Sequence, residues 1–259
     1  MTRHLLLLFL SAAAICPGQD TFEIQVYEWE TVPKGMWNLE THANYTAKGT
    51  KQFEDTVAPT DHQFHLTYEL TRGITENFEL AWYLVLARRH GGSDFLDYAG
   101  TRIRPRYSIP KSAGLPVDVS LSLEFGFPRP AYEDNSVTLE FRPIIEKKIG
   151  RWQFDVNPVL ARALRGPGTG DGWEFEPGVR LGYKVNNKLD LSMEYYGATG
   201  PITDPFRLRD QSHVFFPGCD INLSENVVWN LGVGMAATDA GNQLTMKMRI
   251  GWMFGRKSL

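Results

Sequence analysis

The chain of 259 residues is 42% hydrophobic and 22% charged, with 24 glycines and 15 prolines, a composition that excludes collagen, a disordered tail and a coiled coil. A formal net charge of -3 and a pI near 6.1 leave no whole-chain basic surface, so nucleic acid is not an expected partner. Two cysteines, Cys16 and Cys219, cannot build a disulfide framework, and no Cys/His spacing matches a zinc motif, so no cofactor or metal is expected.

Residues 1–19 read as a secretory signal peptide. Arg3 precedes a short apolar run from Leu5 to Ile15, which Pro17 and Gly18 break. The run is well under the roughly 20 residues a membrane-crossing helix needs. Cys16 raises a lipoprotein signal, but Ile15 stands where a small residue should precede a lipidated cysteine, so cleavage is expected near Gly18 or Gln19. No later stretch is long and apolar enough for a transmembrane helix. The mean hydropathy of -0.29 does not argue against a membrane barrel, which is apolar only at alternate positions.

The remaining chain alternates with period two, the signature of half-buried strands. In chain order, Trp37, Leu39, Ala43 and Tyr45 oppose Asn38, Glu40, His42 and Asn44, and Phe64, Leu66, Tyr68 and Leu70 oppose His65, Thr67 and Glu69. Phe78, Leu80, Trp82, Leu84 and Leu86 then oppose Glu79, Ala81, Tyr83 and Val85, and Ile103, Tyr107 and Ile109 oppose Arg102, Arg104, Arg106 and Ser108. The clearest segment sets Val117, Val119, Leu121, Leu123, Phe125 and Phe127 against Asp118, Ser120, Ser122, Glu124 and Gly126. Next come Val137, Leu139, Phe141 and Ile145 against Glu140, Arg142 and Glu146, then Trp152, Phe154, Val156 and Leu160 against Gln153, Asp155 and Asn157. Phe175, Val179, Leu181 and Tyr183 alternate with Glu174, Glu176, Arg180 and Gly182, and Leu189, Leu191, Met193 and Tyr195 with Asp190, Ser192, Glu194 and Tyr196. Residues 211–223 alternate weakly, which leaves the facing of Cys219 open. Trp229, Leu231, Val233 and Met235 form the eleventh apolar face; Leu244, Met246, Met248, Ile250, Trp252 and Phe254 form the twelfth, opposite Lys247 and Arg249.

Twelve strands allot about 20 residues to each strand with its connection, as in an up-and-down membrane barrel. Short turns are expected at residues 75–77, 148–150 and 186–188, and longer loops at 88–97, 164–172 and 197–210. Trp37, Trp152, Trp229, Trp252 and Phe254 lie near ends of apolar faces, where aromatic rings would meet a lipid interface. The alternative is a soluble lipocalin-like barrel, with its core inside and a polar exterior. Burying so many ionisable groups dry costs several kcal/mol each, and a wetted lumen removes that cost.

The expected fold class is therefore all-β: a closed antiparallel up-and-down transmembrane barrel of about 12 strands after a cleaved signal peptide. Residues 20–36 form a periplasmic or plug segment, 37–254 the barrel and 255–259 a tail beyond Phe254. The expected lumen-lining set is Arg102, Arg104, Arg106, Asp118, Glu124, Glu140, Arg142, Glu146, Asp155, Glu174, Glu176, Arg180, Asp190, Glu194, Lys247 and Arg249. The arginine ladder facing acids on following strands either selects small polar or anionic solutes or forms a neutral network that seals the barrel. Pro105, Pro143, Pro158 and Pro177 fall on strands, where kinks or a shifted register are expected.

Enzyme signals are poor, and no catalytic residue is expected. Ser212, His213 and Asp210 adjoin in sequence, but neighbouring strand residues face opposite ways. His42, His62 and His65 lie near each other along two adjacent strands and could meet a metal, but two of them with Glu40 and Glu69 are more simply read as polar lumen residues. Gly166 to Gly170 lacks the strand-to-helix context of a phosphate loop.

Across its mature length the chain resembles a widespread group of transporter-like bacterial outer-membrane barrels, near those of phenol-degradation meta-pathways. The resemblance lies in Glu23-Ile-Gln-Val-Tyr27, Thr31-Val-Pro-Lys-Gly35, Arg104-Pro-Arg106, Glu140-Phe-Arg-Pro-Ile-Ile145, Asn157-Pro158, Glu194-Tyr-Tyr-Gly197 and Lys247 to Phe254. It implies an outer-membrane barrel of a Gram-negative-type envelope, partnered by outer-membrane lipids, the barrel-assembly machinery and small solutes, and it brings no catalytic residue. The function expected is a passive channel or transporter; the alternatives are a non-conducting docking barrel and a lipid-modifying enzyme.

Overall fold

The computed structural model describes residues 20–89, 91–92 and 95–256. The expected signal peptide and residues 257–259 of the expected tail lie outside them. Twelve strands follow one another: β1 (Met36–Lys48), β2 (Gln63–Gly73), β3 (Phe78–Arg88), β4 (Asp97–Ser108), β5 (Asp118–Pro128), β6 (Val137–Ile149), β7 (Trp152–Arg165), β8 (Glu174–Lys184), β9 (Leu189–Ala198), β10 (Ser212–Ser224), β11 (Val227–Ala236) and β12 (Leu244–Gly255). Each pairs antiparallel with its sequence neighbours, and β1 closes the barrel against β12 from Met36↔Gly255 to Lys48↔Leu244. Closure removes the two unpaired edges that an open sheet would present to lipid. β12 thus ends one residue beyond Phe254, on Gly255.

The strands run from ten to fourteen residues, long enough for tilted strands to cross a bilayer. Connections alternate in length, apart from the nine-residue 109–117, which is longer than the connections 89–96 and 129–136 on either side of it. One end carries 74–77, 109–117, 150–151, 185–188 and 225–226; the other carries 49–62, 89–96, 129–136, 166–173, 199–211 and 237–243. Gly150, at φ 61°, supplies the left-handed backbone that the two-residue hairpin between β6 and β7 requires.

The period-two expectation holds on every strand. Leu80, Trp82, Ile103, Tyr107, Leu121, Leu123, Leu191 and Met193 are exposed on the outer wall, while Glu79, Tyr83, Arg104, Arg106, Ser120 and Ser122 are buried inside. An apolar exterior around a charged interior is the reverse of a soluble barrel, so the outside of this wall faces lipid. β10 resolves the open facing: Ser212, Val214, Phe216 and Asp220 are buried inward, and Cys219 shares the outer face with its register partners Leu191 and Leu231.

The prolines keep the register and interrupt the ladder on one side. Pairing between β4 and β5 jumps from Ile103↔Phe125 to Arg106↔Ser122 beside Pro105. Between β6 and β7 it jumps from Phe141↔Leu160 to Ile145↔Val156, spanning Pro143 and Pro158. Pro158 faces Pro177 directly across β7 and β8, so two residues that cannot donate are spent on one rung.

Trp37, Trp152, Trp229 and Trp252 all gather at the short-turn end. Trp37 is paired with Phe254 and Leu39 with Trp252 across β1 and β12, and Trp152 packs on Tyr183 with ring centroids 4.7 Å apart. Arg72, on the outer face beside them, lies 4.8 Å over the Trp37 ring and donates to the Gly35 carbonyl, a cation drawn back toward the interface.

Candidate functional site

Residues 20–35 precede β1 and lie within the barrel. Their upper part sits toward the long loops: the Thr21 carbonyl accepts from Asn44 Nδ2 at 2.9 Å, the Thr21 hydroxyl meets His65 Nε2 at 3.2 Å, and the Phe22 ring packs on His65 and on Tyr132 of loop 129–136. The lower part reaches the short-turn end. Trp29 N–H donates to Glu146 at 3.1 Å, the Ser120 hydroxyl donates to the Trp29 carbonyl, and Val32 N–H donates to Glu79 at 2.6 Å. The segment has no ladder of its own, so lumen side chains satisfy its buried backbone groups. Asn157 does so twice, accepting from Tyr27 N–H and donating to the Tyr27 carbonyl.

The three expected ladder arginines all bind this segment. Arg102 pairs with Asp20 of the segment and with Glu124 of β5 at 3.0 Å. Arg104, 2% exposed, pairs with Glu69 of β2 and with Glu79 of β3 at 3.0 Å, and its Nε donates to the Tyr83 hydroxyl. Arg106 pairs with Glu79 at 2.8 Å and donates to the carbonyls of Glu28 and Glu30. The expectation that the ladder faces acids on the following strand therefore holds for Arg102 alone. The β5 register partners of Arg102 and Arg106 are Gly126 and Ser122, and the other two guanidinium groups turn back to β2 and β3. The Tyr27 ring lies under Arg104, Arg142 and Arg106, at 4.6, 4.7 and 5.4 Å from its centroid.

The other expected residues take up inward positions in smaller groups. Arg142 pairs with Glu140 at 2.6 Å on β6. Asp155, Arg180, Asp220 and Asn230 form one chain across β7, β8, β10 and β11, with Arg180 at 3.2 Å from Asp155 and 2.7 Å from Asp220. Lys247 pairs with Glu194, and Arg249 with Glu40 at 2.7 Å. Glu146 also meets Lys148 at 3.0 Å, Asp190 accepts from Asn222, and Asp118 pairs with Lys111 at the short-turn rim. Glu174 and Glu176 are half-buried inward residues of β8 near the long loops.

Between the segment and the wall remains a cavity of about 620 Å³. Its lining reaches the turn residues Gly150, Arg151, Glu225 and Asn226 at the short-turn end, and among the described residues none of the long loops lines it. Eight cationic and nine acidic side chains contribute to that lining. The cavity is a polar vestibule that the luminal segment narrows from above.

The expected lumen set leaves out residues that organise its charges: Asp20, Glu23, Tyr27, Glu79, Tyr83 and Asp220, with Glu69, which reads in sequence as a polar lumen residue. Their inward strand positions were legible for Glu69, Glu79 and Tyr83. What period two cannot show is the vertical offset between strands, which decides the acids each arginine meets. Ser212 and His213 do face opposite ways: Ser212 is buried inside, and His213 Nδ1 lies 2.7 Å from the Tyr195 hydroxyl on the outer face. His62 stands at the exposed long-loop rim, separate from the buried His42 and His65.

Solved structures place the fold. An outer-membrane channel from Pseudomonas putida F1 superposes with a TM-score of 0.60 at 10% identity, covering 90% of this chain and all of that one. The NanC porin gives 0.56 at 8% identity and the KdgM porin 0.53 at 8%, each covering 85% of this chain and 99% of the other. The chain has the fold of an outer-membrane β-barrel. No family model matches it, and no curated protein matches it.

Proposed function

We propose that the protein is a passive outer-membrane channel for small polar or anionic solutes, narrowed by its own N-terminal segment. The observation that carries this reading is a closed, lipid-faced wall around a charged vestibule of about 620 Å³ that reaches one rim. Short turns would face the periplasm and long loops the exterior. The similar folds include proteins described as an outer-membrane channel and as porins, which supports the same address and class. The sequence resemblance to transporter-like barrels near the phenol-degradation group supports it as well, without naming the solute.

In this reading segment 20–35 is a plug, and Arg102, Arg104 and Arg106 hold it. The width of the path is then set by how far the plug shifts, and the charge of the path by which rungs it uncovers. A non-conducting docking barrel is favoured by the many bonds between plug and wall. Planar-bilayer recording of the folded full chain separates the two: small discrete current steps support the channel, and a silent bilayer sinks it. Where current flows, R102S/R104S/R106S should lower the anion-to-cation permeability ratio; an unchanged ratio would mean that these arginines only hold the plug.

A further inference from the structure

On the inner wall, Glu40 of β1 and Glu69 of β2 stand directly opposite each other in the ladder, each with one cation beside it, Arg249 and Arg104 respectively. His42, the next inward residue of β1, sets its Nε2 3.7 Å from Glu40 Oε2 and 3.8 Å from Glu69 Oε2. Both separations exceed hydrogen-bond length. This Nε2 is buried and has no hydrogen-bond partner, and the same is true of Glu23 Oε2 on the luminal segment. The guanidinium of Arg102 stands 3.5 Å from Glu23 and is already shared by Asp20 and Glu124. One donor atom from each of Glu23, His42 and Glu69 lies within 4.8 Å of the other two.

We propose that Glu23, His42 and Glu69 bind one divalent cation of the zinc class, which ties the luminal segment to the wall. One imidazole with two carboxylates suits zinc and its first-row neighbours; an all-oxygen shell would suit calcium or magnesium, and thiolates copper(I). Tetrahedral zinc bonds of about 2.0–2.2 Å hold ligand atoms about 3.4 Å apart, so the His42–Glu69 separation needs to close by only a few tenths of an ångström. The remaining carboxylate oxygens are already fixed by neighbours. Glu69 Oε1 accepts from Arg104 and from the Thr71 hydroxyl, and Glu23 Oε1 accepts from the Tyr27 hydroxyl. Such outer bonds orient the ligand atoms before the ion arrives.

The inference concerns attachment of the segment and stands whether or not the barrel conducts. Its test is equilibrium dialysis of the folded, metal-free full chain against Zn²⁺, with Co²⁺ as a spectroscopic stand-in. The expected result is one ion per chain and a visible Co²⁺ ligand-field band. Affinity should fall by at least about tenfold in E23Q and H42A and stay unchanged in H213A, whose histidine lies on the outer wall. E23Q leaves every strand intact, so loss of binding in that variant reads out the site even if H42A folds poorly. Absence of saturable binding in the parent chain, or equal binding in all four proteins, overturns the site. Hydrogen exchange tests the tie: Zn²⁺ should slow exchange of residues 21–32 several-fold in the parent chain and leave E23Q unmoved, and binding without slowing overturns that part.

Discussion

Tyr27 is held at every polar atom it has. Asn157 takes its amide and carbonyl, three guanidinium groups surround its ring, and its hydroxyl meets Glu23 and Tyr83. Each desolvated cation–π contact is worth roughly 0.5–2 kcal/mol, so Y27A should speed hydrogen exchange of the luminal segment by at least about tenfold while the strands keep their protection. Gly73 acts at the other end by having no side chain. A Cβ there would lie 2.2 Å from the Pro33 carbonyl oxygen and 2.3 Å from that of Val32, so G73V should push the segment off β2 and raise conductance.

Asp20 sets a pH response. Burial pushes its carboxyl up, but Arg102 beside it outweighs burial and holds the pKa below the ordinary value of 3.8. A carboxyl depressed in the folded state contributes its stabilisation above the unfolded pKa and loses it as the pH falls through the folded one. Attachment of the upper segment should therefore be constant from neutral pH to about 4 and weaken below it, with D20N showing the weakened state already at pH 7. Exchange of residues 21–23 measured across that range checks this, and a D20N profile identical to the parent's would contradict it. Arg104 answers to Glu69 and Glu79 inside the wall. Removing one partner of a buried ion pair costs about 3–5 kcal/mol, so R104A should lower the midpoint of urea unfolding clearly, whereas R209A, on the exposed loop 199–211, should not.

At the scale of the strand, the sequence was transparent because each residue has one of two environments. Lipid outside and charge inside make the alternation strict from Val119 to Phe127 and from Leu244 to Phe254. It fades in β10, where Val214 and Phe216 turn inward to pack on Ile24 of the luminal segment. An apolar interior there erases the contrast that reveals a face, and the facing of Cys219 was lost with it. The prolines were legible as interruptions, but not as two of them meeting on one rung. The luminal segment itself was visible only as a stretch too irregular for a strand, since its hydrogen bonds go to side chains dispersed over eight strands, β1 to β7 and β12. Cys219 on the lipid face gives an element-scale check. In vesicles it should react with a membrane-permeant maleimide and resist a charged, impermeant one, and equal reaction with both would move β10 by one residue.

The whole molecule is a lipid-facing cylinder with a strap of sixteen residues, 20–35, folded into its centre. Such a strap suits a barrel of twelve strands, whose lumen is too wide to be filled by its own side chains and too charged to be left dry. The most direct measurement of this account is single-channel conductance of the full chain beside a variant lacking residues 20–31, both refolded and inserted in planar bilayers. Small steps are expected from the full chain, and steps at least several-fold larger from the variant. Equal conductance in the two, or silence from a folded variant, would contradict it.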